Sequence, residues 1–130
     1  MSQRIASITL VVADYDAAIA FYTQALGFEL LEDSPRENGK RWVRVAPAGA
    51  ANCALLLAKA DGAQQSARVG DQTGGRVGFF LHTDNFARDH AAMIANGVQF
   101  LEAPRSEAYG TVAVFQDLYG NRWDLLELAS

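Results

Sequence analysis

The apolar positions of the chain fall into short runs whose period switches between that of a strand and that of a helix, and the switch occurs twice. Ile5 to Val12 (IASITLVV) is short, apolar and β-branched, which predicts a strand. Asp14 is placed to N-cap the segment that follows. Ala17 to Leu26 carries an apolar stripe through Ala18, Phe21, Tyr22 and Leu26, as an amphipathic helix does, and Gly27 ends it. Phe28 to Asp33, Arg41 to Ala46 and Cys53 to Ala58 read as three strands, with turns at Asp33 to Gly39 and Pro47 to Asn52. Lys59 to Gly75 is polar, has four glycines and shows no clean period, so it reads as a connector.

The pattern then restarts. Arg76 to Thr83 predicts a strand, Asn85 to Asn96 a helix ended by Gly97, and Val98 to Glu102 a strand. Ala103 to Tyr109 reads as a loop, followed by strands at Thr111 to Gln116 and Arg122 to Leu128. The halves also align residue by residue. Gly27-Phe28-Glu29-Leu30-Leu31-Glu32 matches Gly97-Val98-Gln99-Phe100-Leu101-Glu102 at an offset of 70, and Tyr15 matches Phe86 at an offset of 71. The second helical segment is therefore expected to be one residue shorter. A repeat of this kind defines the architecture. We expect an α+β protein with two βαβββ modules in tandem, in one domain over residues 1–130. The first module covers 1–59, the connector 60–75 and the second module 76–130.

Composition narrows the partners. Half of the 130 residues are hydrophobic, enough for a real core. A net charge of −4 lacks the basic footprint of a nucleic-acid binder. No apolar run approaches the roughly 18 residues that span a bilayer. Met1-Ser2-Gln3-Arg4 leads into the first strand without an apolar signal segment, so a cytoplasmic protein is expected. Cys53 is the single cysteine and reads as an inert thiol in a buried strand. The Gly70 to Gly75 run lacks the lysine and the strand-to-helix context of a phosphate loop.

Two segments carry a resemblance. Val11 to Phe28 (VVADYDAAIAFYTQALGF) and Tyr109 to Glu127 (YGTVAVFQDLYGNRWDLLE) resemble the vicinal oxygen chelate superfamily, which includes glyoxalase I, bleomycin-resistance proteins and extradiol dioxygenases. Leu118 departs from the pattern, standing where proline is common after the aspartate. The resemblance implies sheets curled into a cup, modules paired within or across chains, and a homodimer. It also implies, for metal-dependent members, ligands on the first and last strands of each module. Those positions here are Ser7 and Gly78, then Ala54 or Leu56, and Asp124. Asp124 is a single carboxylate among weak or absent donors, whereas a dedicated site takes three or more protein ligands. No metal and no other cofactor is therefore expected, with a divalent metal as the alternative.

Strand alternation gathers the remaining candidates. Ser7 and Thr9 share a face of the first strand, and Trp42 and Arg44 share a face of the third. That last face either lines the cup or is merely solvated. Gly78, Phe80 and His82 share a face, so His82 either touches a ligand or caps a strand edge. Tyr109 stands at a loop-strand junction as a ligand contact or a plain turn residue, and His90 reads as a surface helix residue. The expected ligand-binding set is Ser7, Thr9, Trp42, Arg44, Phe80, His82, Tyr109 and Asp124. Three functions remain open: a metal-free binder of a small organic molecule, a divalent-metal-dependent lyase or dioxygenase, and a metal-free enzyme using His82 or Asp124 as acid or base.

Overall fold

A computed structural model describes residues 2–49 and 53–130. The chain divides into two compact units, Met1–Val69 and Gly70–Ser130. In the first, β1 (Ser7–Val12), α1 (Tyr15–Ala20), β2 (Glu29–Pro35), β3 (Arg41–Ala46) and β4 (Ala54–Lys59) follow in order, and a short helix α2 (Gly62–Ser66) closes the unit. The second holds β5 (Val77–His82), α3 (Phe86–Ala95), β6 (Gln99–Phe100), β7 (Arg105–Glu107), β8 (Gly110–Gln116) and β9 (Arg122–Leu128). The first sheet runs β1-β4-β3-β2 and the second β5-β9-β8-β6, with β7 beside β8. In both sheets the first strand pairs parallel with the last, and the remaining pairs are antiparallel. The repeat in the sequence is thus a repeat of topology. Among the described residues no helix is long and apolar enough to cross a membrane.

The helices begin where their caps predict. Asp14 Oδ2 accepts from Ala17 N–H at 2.8 Å, and Asn85 Oδ1 accepts from Arg88 N–H at 3.0 Å. The one-residue difference between the helical segments has a concrete cause. After α1 the chain widens into a π-helical turn, Phe21–Ala25, with Leu26 N–H donating to the Phe21 carbonyl at 3.2 Å. A π turn accommodates one extra residue in a helix. The second helix is plain α and needs none. Gly27 and Gly97 both end their segments with positive φ, 76° and 88°.

The helices α1 and α3 each pack on one face of their own sheet. Leu10 and Val12 of β1, Val43 and Val45 of β3 and Leu57 of β4 are fully buried, as are Ala18 and Tyr22. In the second unit Phe115, Leu125 and Trp123 are buried with Phe86 and Met93 of α3. Phe79, Trp123 and Phe115 form a stack, with ring centroids 4.6 and 5.8 Å apart. Burying aliphatic and aromatic side chains of this size contributes roughly 1.5–3 kcal/mol each.

Several expectations are corrected. The connector holds a helical turn, α2, and Ala103 to Tyr109 is not all loop, because Arg105–Glu107 pairs with β8. His90 is half-buried rather than on the surface; its ring lies 5.3 Å from Phe86 and 4.4 Å from Phe100. Cys53 is exposed and precedes β4. The turn at Pro47 to Asn52 falls partly on residues 50–52, outside the described residues.

Candidate functional site

The face of the first sheet turned away from α1 carries Ser7, Thr9, Trp42 and Arg44. The register explains why they share it: Thr9 pairs with Leu56, and Leu56 with Arg44, so all three side chains point the same way. Arg44 is not loosely solvated. Its Nε donates to Ser7 Oγ at 3.1 Å, reaching across β4, and its Nη1 lies 3.8 Å from Glu32 Oε1. Glu32 stands opposite Arg44 because a β-bulge between Leu30 and Glu32 shifts the register of β2 by one residue. Trp42 is exposed, and the Arg36 guanidinium lies 5.4 Å from its ring centroid.

On the second sheet, Phe80 pairs with Asp124, and Asp124 with Val114, in one row. His82 shares that face beside Leu126, and both Phe80 and His82 are exposed. Gly78 does not keep the expected alternation with them. The register slips between Val77 and Phe79, which leaves Gly78 in a bulge, and a Cβ there would lie 2.6 Å from the Thr73 methyl group. The same slip sets Phe80, rather than Phe79, opposite Asp124.

The Asp124 carboxylate is the unusual group. Its Oδ1 is buried and has no hydrogen-bond partner. Burial pushes its pKa above the ordinary aspartate range; Arg105 opposes this and Glu102 reinforces it. Flanked in its sheet by Phe80 and Val114, this oxygen has lost hydration without gaining a donor.

Arg105 and Glu102 are the neighbours that sequence reasoning missed. β7 places Arg105 opposite Val112, on the Asp124 face. Its guanidinium is held by Glu102 at 3.0 Å and Glu107 at 3.0 Å, and its pKa is raised by Glu102, then Glu107, then the Tyr109 hydroxyl. Tyr109 thus reaches this cluster through Arg105 from the two-residue hairpin between β7 and β8. Glu102 is tied down as well, since its Oε2 accepts from Val114 N–H at 2.9 Å. The available signal was Arg-Ser-Glu between Pro104 and Tyr109-Gly110, a short polar strand beside a hairpin turn.

The donor set does not fit a divalent ion. Ser7 Oγ already accepts from a guanidinium, Ala54 has no donor, Gly78 lies in a bulge, and Asp124 stands alone. Among the described residues no three His, Cys, Asp or Glu side chains cluster as such an ion needs.

The elevated Asp124 pKa has a consequence for stability. A carboxyl held above its free value of 3.8 contributes stability that is fully present below that value and is lost as pH rises through the elevated one. Asp124→Asn should therefore melt at a higher temperature than the wild type at neutral pH. The gap should close as pH falls toward 3.8. Melting curves across this range check it, and a gap independent of pH would contradict it.

The fold agrees with one protein class. The family model for the Glyoxalase/Bleomycin resistance protein/Dioxygenase superfamily matches residues 4–125, and the chain belongs to this superfamily. An uncharacterized protein of Shewanella frigidimarina is 52% identical over 129 residues, covering 98% of this chain and 96% of that one. The crystal structure of UcmS2 is 31% identical with a TM-score of 0.84, covering 97% of this chain and 98% of that one. TnmS3, an antibiotic binding protein from Streptomyces sp. CB03234, is 29% identical with a TM-score of 0.78, covering 98% of both chains.

Proposed function

We propose that this protein binds a small organic molecule against the helix-free face of its second sheet, without a catalytic metal. Asp124 is the polar anchor, and the exposed Phe80 ring beside it is the apolar platform. The observation that carries this reading is the buried, unpartnered Asp124 Oδ1 on that face. An unmet acceptor in an apolar setting is costly, and a ligand N–H or O–H would satisfy it. Small-molecule sites commonly combine an apolar surface with one or two such groups. Arg105 sits on the same face with its charge already balanced by Glu102 and Glu107, so it shapes the field more than it attracts an anion. The likeness to TnmS3, an antibiotic binding protein, supports a binding role.

The competing reading is a metal-dependent lyase or dioxygenase with Asp124 as one ligand. Protein purified without chelator should carry no stoichiometric nickel, zinc, iron or manganese, and titration with each should give no tight binding. Stoichiometric metal that is lost in Asp124→Ala would overturn the proposal.

A further inference from the structure

A cavity of about 820 Å³ opens at one end of the first unit, between the 36–40 turn, the end of β4 and α2. All of its lining residues belong to that unit, and its size suits a small molecule. The charges around it are one-sided. Arg36, Lys40, Arg41 and Lys59 line it, against the single carboxylate of Asp61. In a chain with fifteen acidic and eleven basic residues, that balance is the reverse of the whole.

The four cations are not equivalent. Arg41 is committed: it bonds Asp33 through Nε at 3.1 Å and Nη2 at 2.7 Å, and Asp16 through Nη1 at 2.9 Å. Its charge is answered within the fold. Arg36, Lys40 and Lys59 have no ion-pair partner among the described residues, and all three are exposed. Arg36 lies over the Trp42 ring, and Trp42 also lines the cavity. Trp42 with Arg36 over its ring, and Lys40 and Lys59 elsewhere on the lining, put an apolar surface and three cations without ion-pair partners around one space.

We infer that this cavity is a second binding site, selective for a planar organic anion such as an aromatic carboxylate. The indole takes the ring system, Arg36 beside it takes the carboxylate, and Lys40 and Lys59 add to the positive field of the cavity. A cation of the same shape meets three like charges and is rejected. This site shares no residue with the Asp124 face and stands independently of the function proposed there.

Titration of ¹⁵N-labelled protein with 1-naphthoate, followed by amide shifts, tests it. Saturable shifts are expected at residues 36–42 and 58–65. Affinity should be at least tenfold weaker for 1-naphthylmethylammonium, and at least tenfold weaker for naphthoate in the Lys40→Glu/Lys59→Glu double variant. Arg36→Gln provides a single-site variant should the double one fold poorly, and it should weaken binding severalfold. Asp124→Asn should leave naphthoate binding unchanged, which separates this site from the other. Equal affinity for the ammonium compound, undiminished binding in the charge variants, or shifts confined to β5 and β9 would overturn the inference.

Discussion

Asp117→Ala should destabilise the second unit by about 3 kcal/mol or more, since buried polar groups left unpaired cost roughly 1–3 kcal/mol each. Asp117 is 3% exposed and organises the Asp117-Leu118-Tyr119-Gly120-Asn121 turn from inside. Its Oδ1 accepts from the N–H groups of Tyr119 and Asn121, each at 2.9 Å, and its Oδ2 from Asn121 Nδ2 at 2.8 Å. Asn121, itself buried, then accepts from Gln72 N–H through Oδ1 at 3.4 Å. Gly70 packs so closely here that a Cβ would lie 1.9 Å from the Tyr119 carbonyl oxygen. The turn therefore clamps the start of the second unit as well as joining β8 to β9. Alanine removes the acceptor for three donors at once. Denaturant unfolding of the variant measures the loss, and a change below about 1 kcal/mol, the size of one ordinary hydrogen bond, would contradict this account.

Gly110→Ala is expected to be comparably damaging. Gly110 is buried at the start of β8 with φ 152°, and a Cβ there would lie 2.1 Å from the Glu127 carbonyl oxygen. The obstacle is backbone of the paired strand β9, which cannot swing aside as a side chain would. Relief requires parting the Gly110–Leu128 pair and the β7–β8 hairpin that starts from it. A loss of about 3 kcal/mol or more follows, in the range reserved for strained backbone and overpacked sites. Because that hairpin also holds Arg105 and Tyr109, amide exchange at residues 105–112 should accelerate more than at α3. Uniform exchange rates across the unit would contradict the local origin of the strain.

Much of this fold is legible in the chain. The caps Asp14 and Asn85, the terminating Gly27 and Gly97, and the doubled order of strand and helix follow from local chemistry. Even the offset change from 71 to 70 had a structural meaning, though not its form: a π turn cannot be told from an α turn by apolar spacing over five residues. The site was less legible because register decides it. The bulges at Leu31 and Gly78 follow from long-range pairing, and each changes which residue faces a candidate across the sheet. One brings Glu32, not Leu31, to Arg44; the other brings Phe80, not Phe79, to Asp124. Arg105 was hidden for a related reason. Arg-Ser-Glu has no apolar alternation, and only the backbone of β8 makes it a strand. The isolation of Asp124 Oδ1 is a three-dimensional property that no local pattern reports.

The central claim is that Asp124 anchors an organic ligand and not a metal. Its most direct test is calorimetric titration of wild type and Asp124→Asn with the tightest binder from a panel of antibiotics, in buffer containing EDTA. A hydrogen bond to a charged group contributes roughly 1.5–3 kcal/mol, so the account predicts binding that survives the chelator and weakens about ten- to a hundredfold in Asp124→Asn. Binding that EDTA abolishes, or that Asp124→Asn leaves intact, would contradict it.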